Sequence, residues 1–208
     1  MAGLKITYRK ENGNSPDHES DLTLWSEFKQ GDKQAFAIIY RRHFFKLYDY
    51  GVKISGNPEL VKDCIQELFI AIWKSRNNLA YTDSIKNYLF TSLRRKLFDQ
   101  LKKHKLLSAE KKGNTFAFSF PREHALIMEE ISLEKKRKLL DGINRLSKRQ
   151  KEAIFLRYYE GFTCDEIARI MSLSPGSTYV LLSKAISQLK KQMDKIFSVA
   201  VLLRSFIS

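Results

Sequence analysis

The 208-residue sequence holds two cysteines, Cys64 and Cys164, far apart and outside any Cys-x-x-Cys pairing, which excludes a disulfide framework and a cysteine-built metal site. Both read as buried thiols of a reducing compartment. Its four histidines, His18, His43, His104 and His124, share no ligand spacing, the carboxylates form no metal-binding cluster, and a glycine-rich phosphate loop is missing. These absences leave no catalytic residue, metal or cofactor to name, and they argue against an enzyme acting on nucleic acid. The amino terminus, MAGLKITYRK, has no apolar core of signal-peptide length and no small-residue cleavage site. The apolar tail from Ile196 to Ile207 falls short of the about 20 residues that a bilayer requires. The expectation is a cytoplasmic protein with no membrane insertion.

Acidic side chains are also in short supply. Asp and Glu number 23 against 37 Lys and Arg, a formal net charge of +14. Such a balance favours a polyanionic partner, nucleic acid first and an acidic membrane surface second. With 43% hydrophobic residues the chain is otherwise an ordinary globular one of one or two modest domains.

The apolar spacing is helical throughout. Residues 1–20 mix Gly, Asn, Ser, Pro and charge without period and read as a disordered tail. Leu22, Trp25 and Phe28 then share a face, Gly31-Asp32 breaks it with Asp32 as N-cap, and Phe36, Ile39, Tyr40, Phe44, Leu47 and Tyr48 continue to Gly56-Asn57-Pro58. In the helix from Glu59 to about Arg76, Val61, Ile65, Leu68 and Ile72 form the buried stripe. Opposite lie Asp63, Gln66 and Glu67 with Ile70 among them and Phe69 and Trp73 on the flank, apolar anchors ringed by polar groups as in a protein-docking surface. The plainer alternative is that Phe69 and Trp73 close the core.

From Ser84 to Lys105 one helix shows two faces. Ile85, Leu89, Leu93, Leu97 and Leu101 step by four along the buried one. Along the other run Tyr88, Thr91, Arg95, Phe98 and Lys102, rings to stack on unpaired bases and cations to hold the phosphates between them. A solvated amphipathic helix is the alternative. Periodicity then lapses from Lys105 to Arg122, a flexible linker containing Gly113, Asn114 and Pro121. A helical pattern returns over His124 to Leu146, its Lys135 to Lys138 run reading as a solvated face.

The remaining third is well punctuated. Ser147 with Gln150, and Thr163 with Glu166, are capping boxes; Phe162 and Ile167 make a hydrophobic staple for the second. Ser174 caps a further helix that opens on Pro175. Two helices about the turn Ser172-Leu173-Ser174 predict a helix-turn-helix whose second helix enters a major groove. Ser177, Val180, Leu181, Lys184 and Gln188 point outward there and suit base edges, thymine methyls and phosphate. A purely structural helical hairpin is the alternative.

Gly31-Asp32 with Ala35-Phe36, then Asp63-Cys-Ile-Gln66-Glu67-Leu-Phe69 with Trp73, then Glu166-Ile-Ala168 followed by Ser174 to Ala185 and Leu189, resemble in order and spacing the extracytoplasmic-function (ECF) sigma factors of bacterial RNA polymerase. The resemblance covers roughly Leu22 to Met193. It implies an all-α fold of two small helical domains on a flexible linker: region 2 over 21–105, a linker over 106–123, region 4 over 124–195, with 1–20 and 196–208 as tails. It implies a core RNA polymerase dock on Asp63, Gln66, Glu67, Phe69, Ile70 and Trp73, reaching the β′ clamp helices, with the β flap a second polymerase contact. Minus 10 promoter DNA would be held by Tyr88, Thr91, Arg94, Arg95, Phe98 and Lys102. The minus 35 element would be met by Ser174, Ser177, Thr178, Val180, Leu181, Lys184 and Gln188. An anti-sigma factor is a further partner in the family, and the apolar tail could latch onto one or pack on a neighbouring helix. The chain departs from the family pattern at Tyr88, where most members carry Trp, at Arg95, where they carry Asn, and at Tyr179 and Leu181, where many are basic. A stand-alone LuxR-type regulator would share the helix-turn-helix but has no use for the Asp63 to Trp73 face.

Overall fold

The computed structural model describes residues 21–107 and 133–192. The tail 1–20, the linker from residue 108 onward, the start of the helix expected from His124 and the apolar tail 196–208 lie outside the described residues. Eight α-helices follow one another in the described part: α1 Asp21–Lys29, α2 Lys33–Ser55, α3 Pro58–Ser75, α4 Ile85–Leu107, α5 Leu133–Arg145, α6 Lys148–Ile154, α7 Cys164–Met171 and α8 Pro175–Gln192.

Local chemistry sets most of their ends. The Asp32 carboxylate accepts from the backbone N–H groups of Gln34 and Ala35, relieving two of the donors that a helix start leaves unpaired. Gly56 closes α2 at φ 67°, a left-handed conformation that a Cβ would strain, and its N–H donates to the Val52 carbonyl at 2.8 Å. Asn57 then caps α3, with Pro58 at its first position. Both capping boxes form, Ser147 with Gln150 and Thr163 with Glu166, and the stapling pair Phe162 and Ile167 is buried.

Helices α1 to α4 pack as one bundle. Val61, Ile65, Leu68 and Ile72 of α3 and Ile85, Leu89, Leu93 and Leu97 of α4 meet Leu24, Trp25 and Phe28 of α1 and Ile39 and Leu47 of α2 in its centre. Two polar ties fix α1 across this core: the Trp25 indole donates to the Ala80 carbonyl at 2.9 Å, and the Asp21 carboxylate accepts from the Ile85 N–H at 2.8 Å. Helices α5 to α8 form a second, smaller bundle around Leu139, Ile143, Ile154, Ile167, Ile170, Leu182, Ala185 and Leu189.

One departure from helical regularity was not in the apolar spacing. After Ile154 the chain winds wider through a π turn, Phe155–Tyr159, in which the Glu160 N–H reaches the Phe155 carbonyl at 3.1 Å. This turn turns Phe155 toward the first bundle, where its ring stacks on Tyr50 at 6.0 Å, and Phe162 meets Phe90 of α4 edge-on at 5.0 Å. The two bundles therefore share a packed interface. Among the described residues no helix is long and apolar enough to cross a membrane.

Candidate nucleic-acid and polymerase interfaces

Helix α3 presents Asp63, Gln66 and Glu67 to solvent, with Ile70 46% exposed between them. Ile70 and Trp73 border a groove of about 500 Å³ whose other wall is Phe36, Tyr40 and Phe44 of α2. Those three α2 rings were missed as site residues, although they follow the same helical stripe. Phe69 is the correction here: it was expected as a docking anchor, yet it is 3% exposed. It lies four residues from Ile65 and three from Ile72, on the buried side, and its ring packs edge-on against Tyr40 at 4.8 Å and Phe36 at 5.9 Å as the groove's floor. Trp73 is half-buried beneath the Arg76 guanidinium, 4.7 Å from the ring centroid. Glu67 reaches across to Lys96 of α4 at 2.6 Å, so the acidic face of α3 is joined to α4.

On α4 the ring-and-cation stripe is present but is not simply left to solvent. Arg95 and Lys102 are exposed, whereas Tyr88, Thr91 and Phe98 are half-buried. Tyr88 leans edge-on against Trp25 at 5.2 Å, and the Thr91 hydroxyl donates to the Asn87 carbonyl at 2.8 Å. Arg94 is the second correction. Expected to be open to DNA, its guanidinium donates through both Nε, at 2.7 Å, and an Nη, at 3.3 Å, to the two oxygens of Glu152 in α6. It also lies over the Phe98 ring at 4.5 Å. The second bundle covers this part of the stripe, leaving a cleft of about 620 Å³ bordered by Arg94, Arg95, Phe98 and Lys102 on one side and Lys148, Arg149 and Glu152 on the other.

The Tyr50 hydroxyl donates to the same Glu152 carboxylate at 2.7 Å. Burial, reinforced by that negative charge, holds the phenol well above its ordinary pKa. Burial opposes the charge on Arg94, and its bonds to Glu152 more than offset this, so its pKa is pushed up. Further along α4, Lys86 pairs with Glu160 at 2.9 Å and also donates to the Glu160 carbonyl, while Asn87 donates to the Glu166 carbonyl at 3.3 Å. Burial pushes the Glu160 carboxyl up, against the pull of Lys86.

The pair α7 and α8 is joined at Ser172, the one described non-glycine residue with a positive φ, 53°. Before α8 the capping Ser174 is exposed; on α8 Ser177, Val180 and Lys184 are exposed, Leu181 and Gln188 half-buried. Ser174 is occupied as the cap, accepting from the Ser177 N–H at 3.1 Å, and the Gln188 amide donates to the Arg145 carbonyl at 3.3 Å. Thr178 corrects the expected set: it is fully buried, its hydroxyl donating back to the Ser174 carbonyl at 3.1 Å. It starts the stripe continued by Leu182, Ala185 and Leu189, so it faces the bundle. The outward position beside it is Tyr179, 67% exposed, which was not among the expected contacts.

A bundle with an acidic, apolar-anchored face, next to a helix of rings and cations, followed by a helix-turn-helix, defines a DNA-binding protein that also engages a protein partner. Comparison with known proteins narrows this. A model of sigma-70 region 2 matches residues 39–106, and one of sigma-70, region 4 matches residues 136–189. The ECF RNA polymerase sigma factor SigK of Mycobacterium sp. (strain JLS) is 24% identical over 168 residues, 80% of this chain and 87% of the relative. ECF RNA polymerase sigma factor SigW of Bacillus subtilis (strain 168) is 24% identical over 174 residues, 80% of this chain and 93% of the relative. The fold is shared with CnrH, solved in complex with the cytosolic domain of CnrY (TM-score 0.56, 18% identity, 86% of this chain and 100% of that one). It is shared too with the sigma factor RpoE, solved with the anti-sigma factor NepR from Bartonella quintana (TM-score 0.55, 20% identity, 79% of this chain and 98% of that one). The chain belongs to the sigma-70 family, as an ECF sigma factor. The region 2 match sets aside the stand-alone LuxR-type regulator.

Proposed function

We propose that the chain gives core RNA polymerase its promoter specificity through three surfaces, by binding and not by catalysis. Region 2, over 21–105, docks on the β′ clamp helices through Asp63, Gln66, Glu67, Ile70 and Trp73, with Phe69 shaping the groove from beneath. Tyr88, Thr91, Arg95, Phe98 and Lys102 hold the opened minus 10 strand, while Arg94 stays paired with Glu152. Region 4, over 124–195, lays α8 in the major groove of the minus 35 element and rests against the β flap. Its DNA-facing side chains are Ser177, Tyr179, Val180, Leu181 and Lys184. An anti-sigma protein is the further partner we infer, since the RpoE structure contains one. Polymerase and chromosome place the work in the cytoplasm.

The observation that carries this reading is the adjacency of the acidic face of α3 to the cationic face of α4, linked by Glu67 to Lys96 at 2.6 Å. A protein surface that is negative in a chain of net charge +14 repels DNA and suits a protein partner, while the neighbouring surface does the reverse. The test is co-elution with core polymerase. Asp63→Arg and Ile70→Glu, both at exposed positions, should lose co-elution while keeping the wild-type unfolding midpoint. Retained co-elution in both would show that α3 is not the dock.

A further inference from the structure

The cleft beside Glu152 is bordered by two cations, Lys148 and Arg149 of α6, that no surface assigned above uses. Arg94 and the Tyr50 hydroxyl already satisfy Glu152, which leaves Arg95, Lys102, Lys148 and Arg149 around the cleft against one carboxylate, Asp99. All four cations are exposed, and among the described residues none of their charged groups has a hydrogen bond or ion pair. Like charges gathered in this way repel, and a bound anion removes that cost. Helix stability does not explain the α6 pair either. Lys148 and Arg149 stand in the first turn of α6, which has no acidic residue, where the positive end of the helix dipole disfavours a cation. The floor is of another kind. Ile54, Ile170 and Met171 line it in apolar surface, and the Phe98 ring borders it with the Arg94 guanidinium above at 4.5 Å. Aromatic rings and guanidinium planes are the surfaces on which a base stacks. A bare phosphate has no use for an apolar floor, and the volume of about 620 Å³ lies within the range of about 300 to 1,000 Å³ typical of small-molecule sites.

We propose that this cleft binds a nucleoside polyphosphate, its base on Phe98 above the apolar floor and its phosphates between Arg95 and Lys102 on one wall and Lys148 and Arg149 on the other. A single phosphate carries about −1.5 to −2 charges, short of the four cations less Asp99, so the ligand needs at least two phosphates. Each wall supplies one guanidinium, which takes phosphate oxygens in pairs, and one lysine as a point charge. An occupied cleft withholds Arg95, Phe98 and Lys102 from the minus 10 strand, so nucleotide and strand compete. That consequence alone rests on the function proposed above.

The test is calorimetric titration of the full chain with ATP, GTP, tripolyphosphate and adenosine at about 0.15 M salt, where charge left open to solvent is largely screened. At least one of the two nucleotides should bind with a dissociation constant of about 10 μM, and tripolyphosphate and adenosine about 10-fold more weakly or worse, since each lacks one recognised half. Lys148→Ala with Arg149→Ala should weaken the nucleotide about 10-fold without lowering the unfolding midpoint. Lys190→Ala with Lys191→Ala removes the same charge from the last turn of α8, outside the cleft, and should change the affinity by no more than about twofold. Phe98→Leu should erase the preference for nucleotide over tripolyphosphate. The proposal is overturned if neither nucleotide binds below about 1 mM, if tripolyphosphate binds as well as both, or if the two double variants lose affinity equally. A single-stranded oligonucleotide should bind the Lys148→Ala, Arg149→Ala chain as it binds the wild type; a loss equal to that of the nucleotide would make the pair part of the strand's path and overturn the proposal too. Co-elution with core polymerase reports separately on the sigma assignment, since it persists whether or not a nucleotide binds.

Discussion

A Cβ placed on Gly51 would stand 2.6 Å from Cγ1 of Val61 and 3.4 Å from a Leu97 methyl, so α2 crosses α3 and α4 at the one point where it has no side chain. Gly51 sits inside a helix with an ordinary backbone, where glycine is otherwise the poorer choice. The close approach is what it supplies. Gly51→Ala should therefore destabilise region 2 by about 1 to 3 kcal/mol in urea unfolding, in spite of the better helix propensity of alanine. Because the clash is with Val61, Gly51→Ala combined with Val61→Ala should cost less than the two singles added together.

The neighbours Thr178 and Tyr179 should behave oppositely on minus 35 duplex. Thr178→Val keeps the buried shape and should leave the dissociation constant within about twofold, since the lost hydroxyl bond is internal to α8. Tyr179→Ala and Lys184→Ala should each weaken binding about 10-fold, or about 1.4 kcal/mol. The Lys184 variant should also lower the slope of log affinity against log salt by about 1, as loss of one phosphate contact does. Fluorescence anisotropy across a salt series measures all three.

Stability should fall in mild acid because of His43. It is buried in α2, and neither ring nitrogen has a hydrogen-bond partner among the described residues. Burial, with help from Lys46, Lys86 and Arg42 and against the pull of Asp21, lowers its pKa from 6.5 to about 4. The unfolded chain therefore binds a proton that the folded one refuses. Stability from this group is intact above about pH 6.5, declines as pH falls toward about 4 and levels off below, a total of about 3 kcal/mol. His43→Leu should flatten that part of the profile, read as the difference in unfolding midpoint between variant and wild type from pH 7 to pH 4.

Much of the molecule could be read from short-range pattern because short-range chemistry builds it. Asp32, Asn57, Ser147, Thr163 and Ser174 each satisfy backbone donors two or three residues away, so their helices start where capping predicts. The step-of-four stripe through Ile85, Leu89, Leu93 and Leu97 is buried for the same local reason. Thr178 and Phe69 were legible too: extending the stripes of Leu182 and Ile65 by one step puts each inside, and chemical type drew them to the surface instead. What local pattern could not supply is the pairing of Arg94 with Glu152. Those residues are separated by the segment 108–132, and a charged side chain looks the same on a wheel whether it faces water or a partner bundle. The π turn is equally silent, since Phe155 and Leu156 continue an α-helical apolar spacing that the backbone does not keep.

That turn also sets the alignment between the two charged pairs. Glu152 lies before it and Glu160 just after it, and they grip Arg94 and Lys86 on the same helix, α4. Deleting one residue from Phe155–Tyr159 would rewind the segment as ordinary helix and rotate one carboxylate about 100° relative to the other. Only one of the two cations could then be reached at a time. A single codon lost at this spot would thus uncouple the halves of the molecule while leaving both carboxylates and both of their cations in the gene.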